Sequence, residues 1–311
     1  MIDLLLLGTG GMMPLPNRWL SSLLVRIGGH LVLFDCGEGT QIPWQTFGWG
    51  FRRLSSICLS HMHADHVAGL PGLLHAAANA DRTDPVTIYG PPGTSRVVNA
   101  LREIAPVLTF ELKIREVNGY ERFELPGGSI GRVFRGDHRL PCNCYRLDLA
   151  RGRRFVPEKA MAQHIPIDYW NELQRGQNVT IDGRLVESES VLGPPRKGLS
   201  IGFVTDTRPA PGLAEFLAGV DLLICEGTYG DSADHQKAVE RKHMTFAEAA
   251  ELARAAGAAA LWLTHFSAAM SDPLEYRDNA ASIFPNTTIG FSGLSATLNF
   301  AQVDPGPATG A

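Results

Sequence analysis

Residues 61–66 read His61-Met62-His63-Ala64-Asp65-His66, three imidazoles and one carboxylate within six positions. They follow Ser56-Ile57-Cys58-Leu59-Ser60, a short run with the composition of a buried strand, and precede a stretch with helical spacing. Imidazole together with carboxylate is a donor set for zinc and similar divalent ions. The chain holds 10 histidines in all, so three of them in one tight loop weigh against a merely solvated turn. A cradle of this kind needs further ligands from distant segments, and that requirement restricts the chain to folds that bring several strand ends together.

Three further places offer such ligands, each a lone polar residue closing an apolar run: His138 in Gly136-Asp137-His138, Asp206 in Phe203-Val204-Thr205-Asp206, and His265 in Leu263-Thr264-His265. Singly, each reads as a cap or a satisfied surface group. Jointly they supply what two adjacent tetrahedral or five-coordinate sites require. Asp35, in Phe34-Asp35-Cys36-Gly37, is either a turn aspartate or a hydrogen-bond partner that orients a ligand loop. His243 precedes Thr245 at a helix start, where it is either a capping-region residue or a group facing the reacting bond. His30, His75, His164 and His235 have no comparable context.

The remaining sequence sets bounds. Hydrophobic residues at 44% and charged residues at 19% are enough for a substantial core over 311 residues. A formal charge of −4 gives no overall basic field, so any nucleic acid must be met by a local patch. The five cysteines are odd in number and lie mostly in strand-like runs, which fits small buried hydrophobes in a reducing cytoplasm. Cys142-Asn143-Cys144 lacks the spacing and the second pair of a thiolate site. The opening Met1-Ile2-Asp3-Leu4-Leu5-Leu6-Leu7 breaks at Gly8-Thr9-Gly10-Gly11 and reads as a strand and turn, not as a leader or membrane span.

Strands are expected near 3–7, 21–27, 30–35 and 55–60, helices over 66–79 and 94–105, and a strand-rich stretch from about 108 to 150. An excursion covers about 151–198. A second αβ half follows, with helices over 210–218 and 246–256, and residues 304–311 are composed like a frayed tail. The expected organisation is one domain over 1–303 that includes the excursion.

The ordered set Asp35, His61-x-His63-x-Asp65-His66, His138, Asp206 and His265 resembles the motifs of the metallo-β-lactamase superfamily. The resemblance implies an α/β fold, an αββα sandwich with a short inserted arm. It also implies two divalent ions per subunit, Zn with Mn or Fe as alternatives. His61, His63 and His138 would hold one ion, Asp65, His66 and His265 the other, and Asp206 would bridge them. Asp35-Cys36-Gly37-Glu38-Gly39-Thr40-Gln41, Pro16-Asn17-Arg18, Asp206-Thr207-Arg208-Pro209 and His243-Met244-Thr245 are similar to the ribonuclease Z family. Membership implies a cytoplasmic homodimeric endoribonuclease that removes 3′ trailers from precursor tRNA by attack of a metal-bridged hydroxide. Asp65 would handle the nucleophile and His243 the leaving oxygen or the phosphoryl charge.

One stretch departs from that family. Its substrate-gripping arm is Gly- and Pro-rich, whereas the matching residues here run His164-Ile165-Pro166-Ile167-Asp168-Tyr169-Trp170-Asn171-Glu172-Leu173. The departure keeps an alternative open: a phosphodiesterase or arylsulfatase-like hydrolase of a small anionic ester on the same core. A metal-binding scaffold without activity is a third reading, opposed by the full ligand set and His243. Arg151, Arg153, Arg154 and Lys159 stand equally for phosphate contact and for a solvated loop.

Overall fold

The computed structural model describes residues 1–300; the tail expected over 304–311 lies outside the described residues. Apolar runs become strands here because both faces of each are covered, so alternate side chains pack in opposite directions. In chain order the strands are β1 Ile2–Gly8, β2 Ser22–Ile27, β3 His30–Phe34, β4 Leu54–Cys58, β5 Val86–Gly90 and β6 Leu112–Glu116. There follow β7 Arg122–Leu125, β8 Ser129–Arg135, β9 Asn143–Arg151, β10 Val179–Ile181 and β11 Arg184–Val186. The last are β12 Arg196–Val204, β13 Leu222–Glu226, β14 Leu261–Thr264, β15 Thr287–Ile289 and β16 Ser295–Leu298.

Two seven-stranded sheets result, ordered β16-β1-β2-β3-β4-β5-β6 and β15-β14-β13-β12-β9-β8-β7. Strands β3 to β6 run parallel to one another, as do β12 to β15. The first sheet is capped by the helix Leu70–Asn79, whose Leu70, Leu73, Leu74 and Ala77 share one apolar cluster with Leu5, Leu7 and Leu33. On the second sheet, Phe246, Ala249, Ala250 and Ala253 of the helix Phe246–Ala256 join Leu223, Cys225, Leu261 and Leu263. Between the sheets, Phe34 meets Phe203 at 5.3 Å and Tyr145 edge-on at 5.7 Å. The layering is thus the expected αββα sandwich. Ligand sites in such sheets lie beyond the carboxyl ends of parallel strands, which here means the loops after β3, β4, β12, β13 and β14.

Met1–Asp148 and Ser200–Asn299 form one compact unit, and Leu149–Leu199 belong to a smaller one. The smaller unit has its own core of Ala160, Ile165, Leu173, Val179, Val186 and Val191. Its hairpin β10–β11 turns on Asp182-Gly183, both at positive φ (48° and 79°), as a two-residue turn of this hand demands. The stretch that departs from the Gly/Pro-rich arm is folded: a short 3₁₀ turn Ile167–Tyr169 runs into the helix Trp170–Gln174, and the Trp170 indole donates to the Ile165 carbonyl at 3.0 Å. Arg153 pairs with Glu189, and Lys159 donates to the Leu192 carbonyl.

Some elements differ from expectation. The helix expected over 66–79 is two, Ala64–Val67 and Leu70–Asn79. Gly69 at the break lies so close to the β3 loop that a Cβ would fall 1.9 Å from the Gly37 carbonyl oxygen. The helix over 210–218 shrinks to Leu213–Phe216, because Pro211 and Gly212 at φ 88° delay its start. The last strand, β16, returns to pair with β1 in the first sheet. Among the described residues no helix is long and apolar enough to cross a membrane.

Phe203 is 1% exposed and joins the two sheets. Phe203→Ala is expected to cost about 3–5 kcal/mol, the usual range for an aromatic removed from a core, read as a lowered urea midpoint with the slope unchanged.

Candidate metal centre

The loops at the carboxyl ends of those strands converge. Asp35 follows β3, His61 to His66 follow β4, Asp206 follows β12, and His265 follows β14. Asp35, Asp206 and His265 each turn the corner in the left-handed region, at φ 58°, 52° and 58°. Asp and His tolerate that conformation better than most residues, and such corners gather where geometry is over-determined by surroundings.

Three groups of donor atoms result among the described residues, each with all members within 4.8 Å of one another: His61, His63, His138 and Asp206, then Asp65, His66 and His265, and an overlapping set of Asp206, His243 and His265. Asp206 offers one oxygen to each of the first two. Its Oδ2 lies 3.7 Å from His61 Nε2 and 3.9 Å from His138 Nε2, and its Oδ1 lies 3.3 Å from His66 Nε2 and 3.1 Å from His265 Nε2. Asp65 Oδ2 is 3.5 Å from His66 Nε2 and 3.6 Å from His265 Nε2. Two nitrogens each about 2.0–2.1 Å from a tetrahedral zinc ion would stand roughly 3.3 Å apart, so the spacings suit divalent cations.

The far sides of the His61, His66, His138 and His265 rings are held. Ser60 Oγ donates to Asp35 at 2.8 Å and contacts His61 Nδ1 at 3.0 Å, while His66 Nδ1 donates to Asp35 at 2.7 Å. His138 Nδ1 donates to the Lys242 carbonyl at 3.2 Å, and His265 Nδ1 to Thr228 at 3.1 Å. This pattern leaves the opposite nitrogens facing inward. The Nε2 atoms of His66 and His265 are buried without a hydrogen-bond partner, and His61 Nε2 stands 2.8 Å from His63 Nδ1. Lone pairs crowded together in a dry cluster are what bound cations would satisfy.

Charge follows burial and neighbours. Burial, followed by nearby imidazoles, holds His61 well below the usual range, and burial also lowers His63 and His138, so these rings are neutral and able to coordinate. Burial would also depress His66, but the Asp206 and Asp35 carboxylates overrule it and raise it well above the usual value. Asp65 is lowered despite burial, by the His265 and His66 imidazoles beside it. Its carboxylate also accepts the Met12 N–H at 2.7 Å from the glycine turn after β1. That turn seats closely: a Cβ on Gly11 would fall 2.6 Å from the His265 ring.

His243 stands beside the cluster, its ring 5.5 Å from those of both His138 and His265. Sequence reasoning missed the residue that sets it. Glu226, wholly buried at the end of β13, accepts from His243 Nδ1 at 3.1 Å, from the Thr207 and Met244 amides at 2.7 and 3.1 Å, and from the Thr228 hydroxyl at 2.6 Å. A signal existed: Leu222-Leu223-Ile224-Cys225-Glu226 is another apolar strand closed by a charge. Burial opposes the charge on His243, but Glu226 prevails and raises its pKa to about 9. Arg208 fixes the backbone nearby, donating to the His243 carbonyl and pairing with Glu248, which in turn closes a capping box with Thr245.

The fold and this cluster define a member of the β-lactamase superfamily, and the model of the "beta-lactamase superfamily domain" matches residues 30–266. Within that superfamily the chain belongs to the ribonuclease Z family. It is 48% identical over 300 residues to a ribonuclease Z of Lachnoclostridium phytofermentans, covering 96% of this chain and 99% of the relative. It is 46% identical to that of Agathobacter rectalis, covering 97% and 100%. A crystal structure of the short form of human tRNase Z shares the fold, with a TM-score of 0.67 at 24% identity over 96% of this chain and 100% of that one.

A raised pKa means that the folded state holds the His243 proton more tightly than the unfolded chain. The stabilisation is complete below about pH 6.5, the ordinary histidine value, and is lost as pH rises through about 9. In chelator-treated protein, Glu226→Gln is expected to lower the titration of the His243 ring, followed by NMR, and to flatten the fall in stability across that window. An unmoved titration would show that Glu226 does not set it.

Proposed function

We propose that the chain is a metal-dependent endoribonuclease that removes 3′ trailers from precursor tRNA. The observation that carries this reading is the 46–48% identity to ribonuclease Z along almost the whole of both chains. His61, His63 and His138 would hold one divalent ion and Asp65, His66 and His265 the other, with Asp206 shared between them. Imidazole and carboxylate favour Zn, with Mn or Fe as alternatives set by availability. When bound, such ions neutralise charge on phosphoryl oxygens and make water acidic enough to be a nucleophile near neutral pH.

The protein's own groups supply the proton transfers. Asp65, kept ionised by its imidazole neighbours and aimed by the Met12 amide, orients the attacking water and takes its proton. His243, protonated through Glu226, gives a proton to the ribose 3′ oxygen as the bond from that oxygen to phosphorus breaks, leaving a 3′ hydroxyl on the tRNA. Asp35 acts through the rings of His61 and His66, not on substrate. Five free, buried cysteines support a reducing, cytoplasmic setting. We read the active species as a homodimer of one catalytic domain, residues 1–303 including the arm at about 151–198.

The folded, Gly/Pro-poor stretch 164–173 favours one rival, hydrolysis of a small phosphate or sulfate ester on the same core. Against it, the relatives match along their full length, this stretch included. With metal supplied, the wild type is expected to make a single cut in a 3′-extended precursor tRNA. Asp65→Ala is expected to lose about 10²-fold or more, as removal of a proton-transfer group does. Hydrolysis of bis(p-nitrophenyl) phosphate without any cut in the RNA would favour the rival.

A further inference from the structure

We infer that a cleft at the end of β15, on the same end of the sheet as the loop that carries His265, receives the base of a nucleotide flanking the bond that is cut, an inference that rests on the RNA-cleaving reading above. Strands β14 and β15 run parallel with Leu263 opposite Ile289, and the Gly290 amide donates to the Leu263 carbonyl at 2.9 Å. β14 ends at Thr264 and β15 at Ile289, so His265 and Phe291 lie in loops at the same end of the second sheet. Phe291 is 58% exposed, a large aromatic surface kept in water.

Phe291 borders a cavity of about 260 Å³, walled also by Asn17, Arg18, Leu274, Gly290 and Ser292. That volume is just under the roughly 300–1,000 Å³ of sites for drug-sized ligands, a scale fitting a single base. The walls are pinned. The Arg18 guanidinium donates to the Met270 and Ser271 carbonyls at 2.7 and 2.8 Å, and Asp272 accepts the Leu274 amide at 2.9 Å. Gly290 approaches the neighbouring strand so closely that a Cβ would fall 2.4 Å from the Leu263 carbonyl oxygen.

Single-stranded RNA is recognised by splaying out a base, stacking it on an aromatic ring and bonding its edge. Phe291 offers the face, and the exposed Asn17 amide offers an edge contact. A scissile phosphate at the metal cluster would set the base of an adjoining nucleotide next to them.

The test is a coupling cycle on kcat/KM with a 3′-extended precursor tRNA, intact or carrying an abasic nucleotide immediately 5′ or 3′ of the cut. Phe291→Ala is expected to lose about 5- to 150-fold on intact RNA, the range for one base–aromatic stack, and Phe291→Trp to retain activity. An abasic nucleotide on one side should cost the wild type a similar factor and cost Phe291→Ala nothing more, and the side that couples identifies the base. Equal losses for both proteins at both positions would overturn the cleft while leaving the endonuclease reading intact. A wild type that cuts no RNA would overturn both. Should Phe291→Ala melt early or lose metal, Phe291→Leu, which keeps apolar bulk but not the ring face, is read in the same cycle.

Discussion

Burial of a cluster of imidazoles and carboxylates at one edge of a sandwich is the constraint on which much of this structure turns. Unpaired charges and lone pairs in a dry interior are costly, so each must be met by a proton, a hydrogen bond or a cation. Asp35 shows how closely the core supports that demand. Fully buried in a left-handed corner, it holds Ser60 through both amide and hydroxyl and His66 through its ring, at 2.6, 2.8 and 2.7 Å. The loop that carries His61 to His66 is thereby anchored to the end of β3 and is not left to fluctuate.

The same logic explains why neighbouring groups differ in charge. His61, His63 and His138 are lowered mainly by burial, whereas His66 and His243 are raised by carboxylates that outweigh burial. Groups pushed apart in this way from one common type are suited to separate tasks, coordination for the lowered rings and proton donation for His243, whereas His66 would have to give up its proton to bind a cation. Glu226 sits at the hinge of that division, since it binds His243 directly and reaches His265 through Thr228.

The smaller unit presents a contrast. Its basic residues Arg153 and Lys159, equally readable from sequence as phosphate contacts, have partners inside the unit itself. Its stretch 164–173 forms turns and a helix around a buried Leu173.

Sequence alone determined the class of fold, and it singled out the loop 61–66 and the strand-end residues that the structure brings together, because each is a local pattern: a polar group closing an apolar run, or a dense cluster of donors. Glu226 carried the same pattern and was passed over, since one carboxylate after a strand says nothing until its partner is known. Only the tertiary structure decided that Asp206 turns one oxygen to each of two donor groups, that Glu226 raises His243, and that β15 runs parallel to the strand that leads into His265. Those facts depend on strand register and on corners at positive φ, and contacts between segments dozens of residues apart, not local propensity, set both.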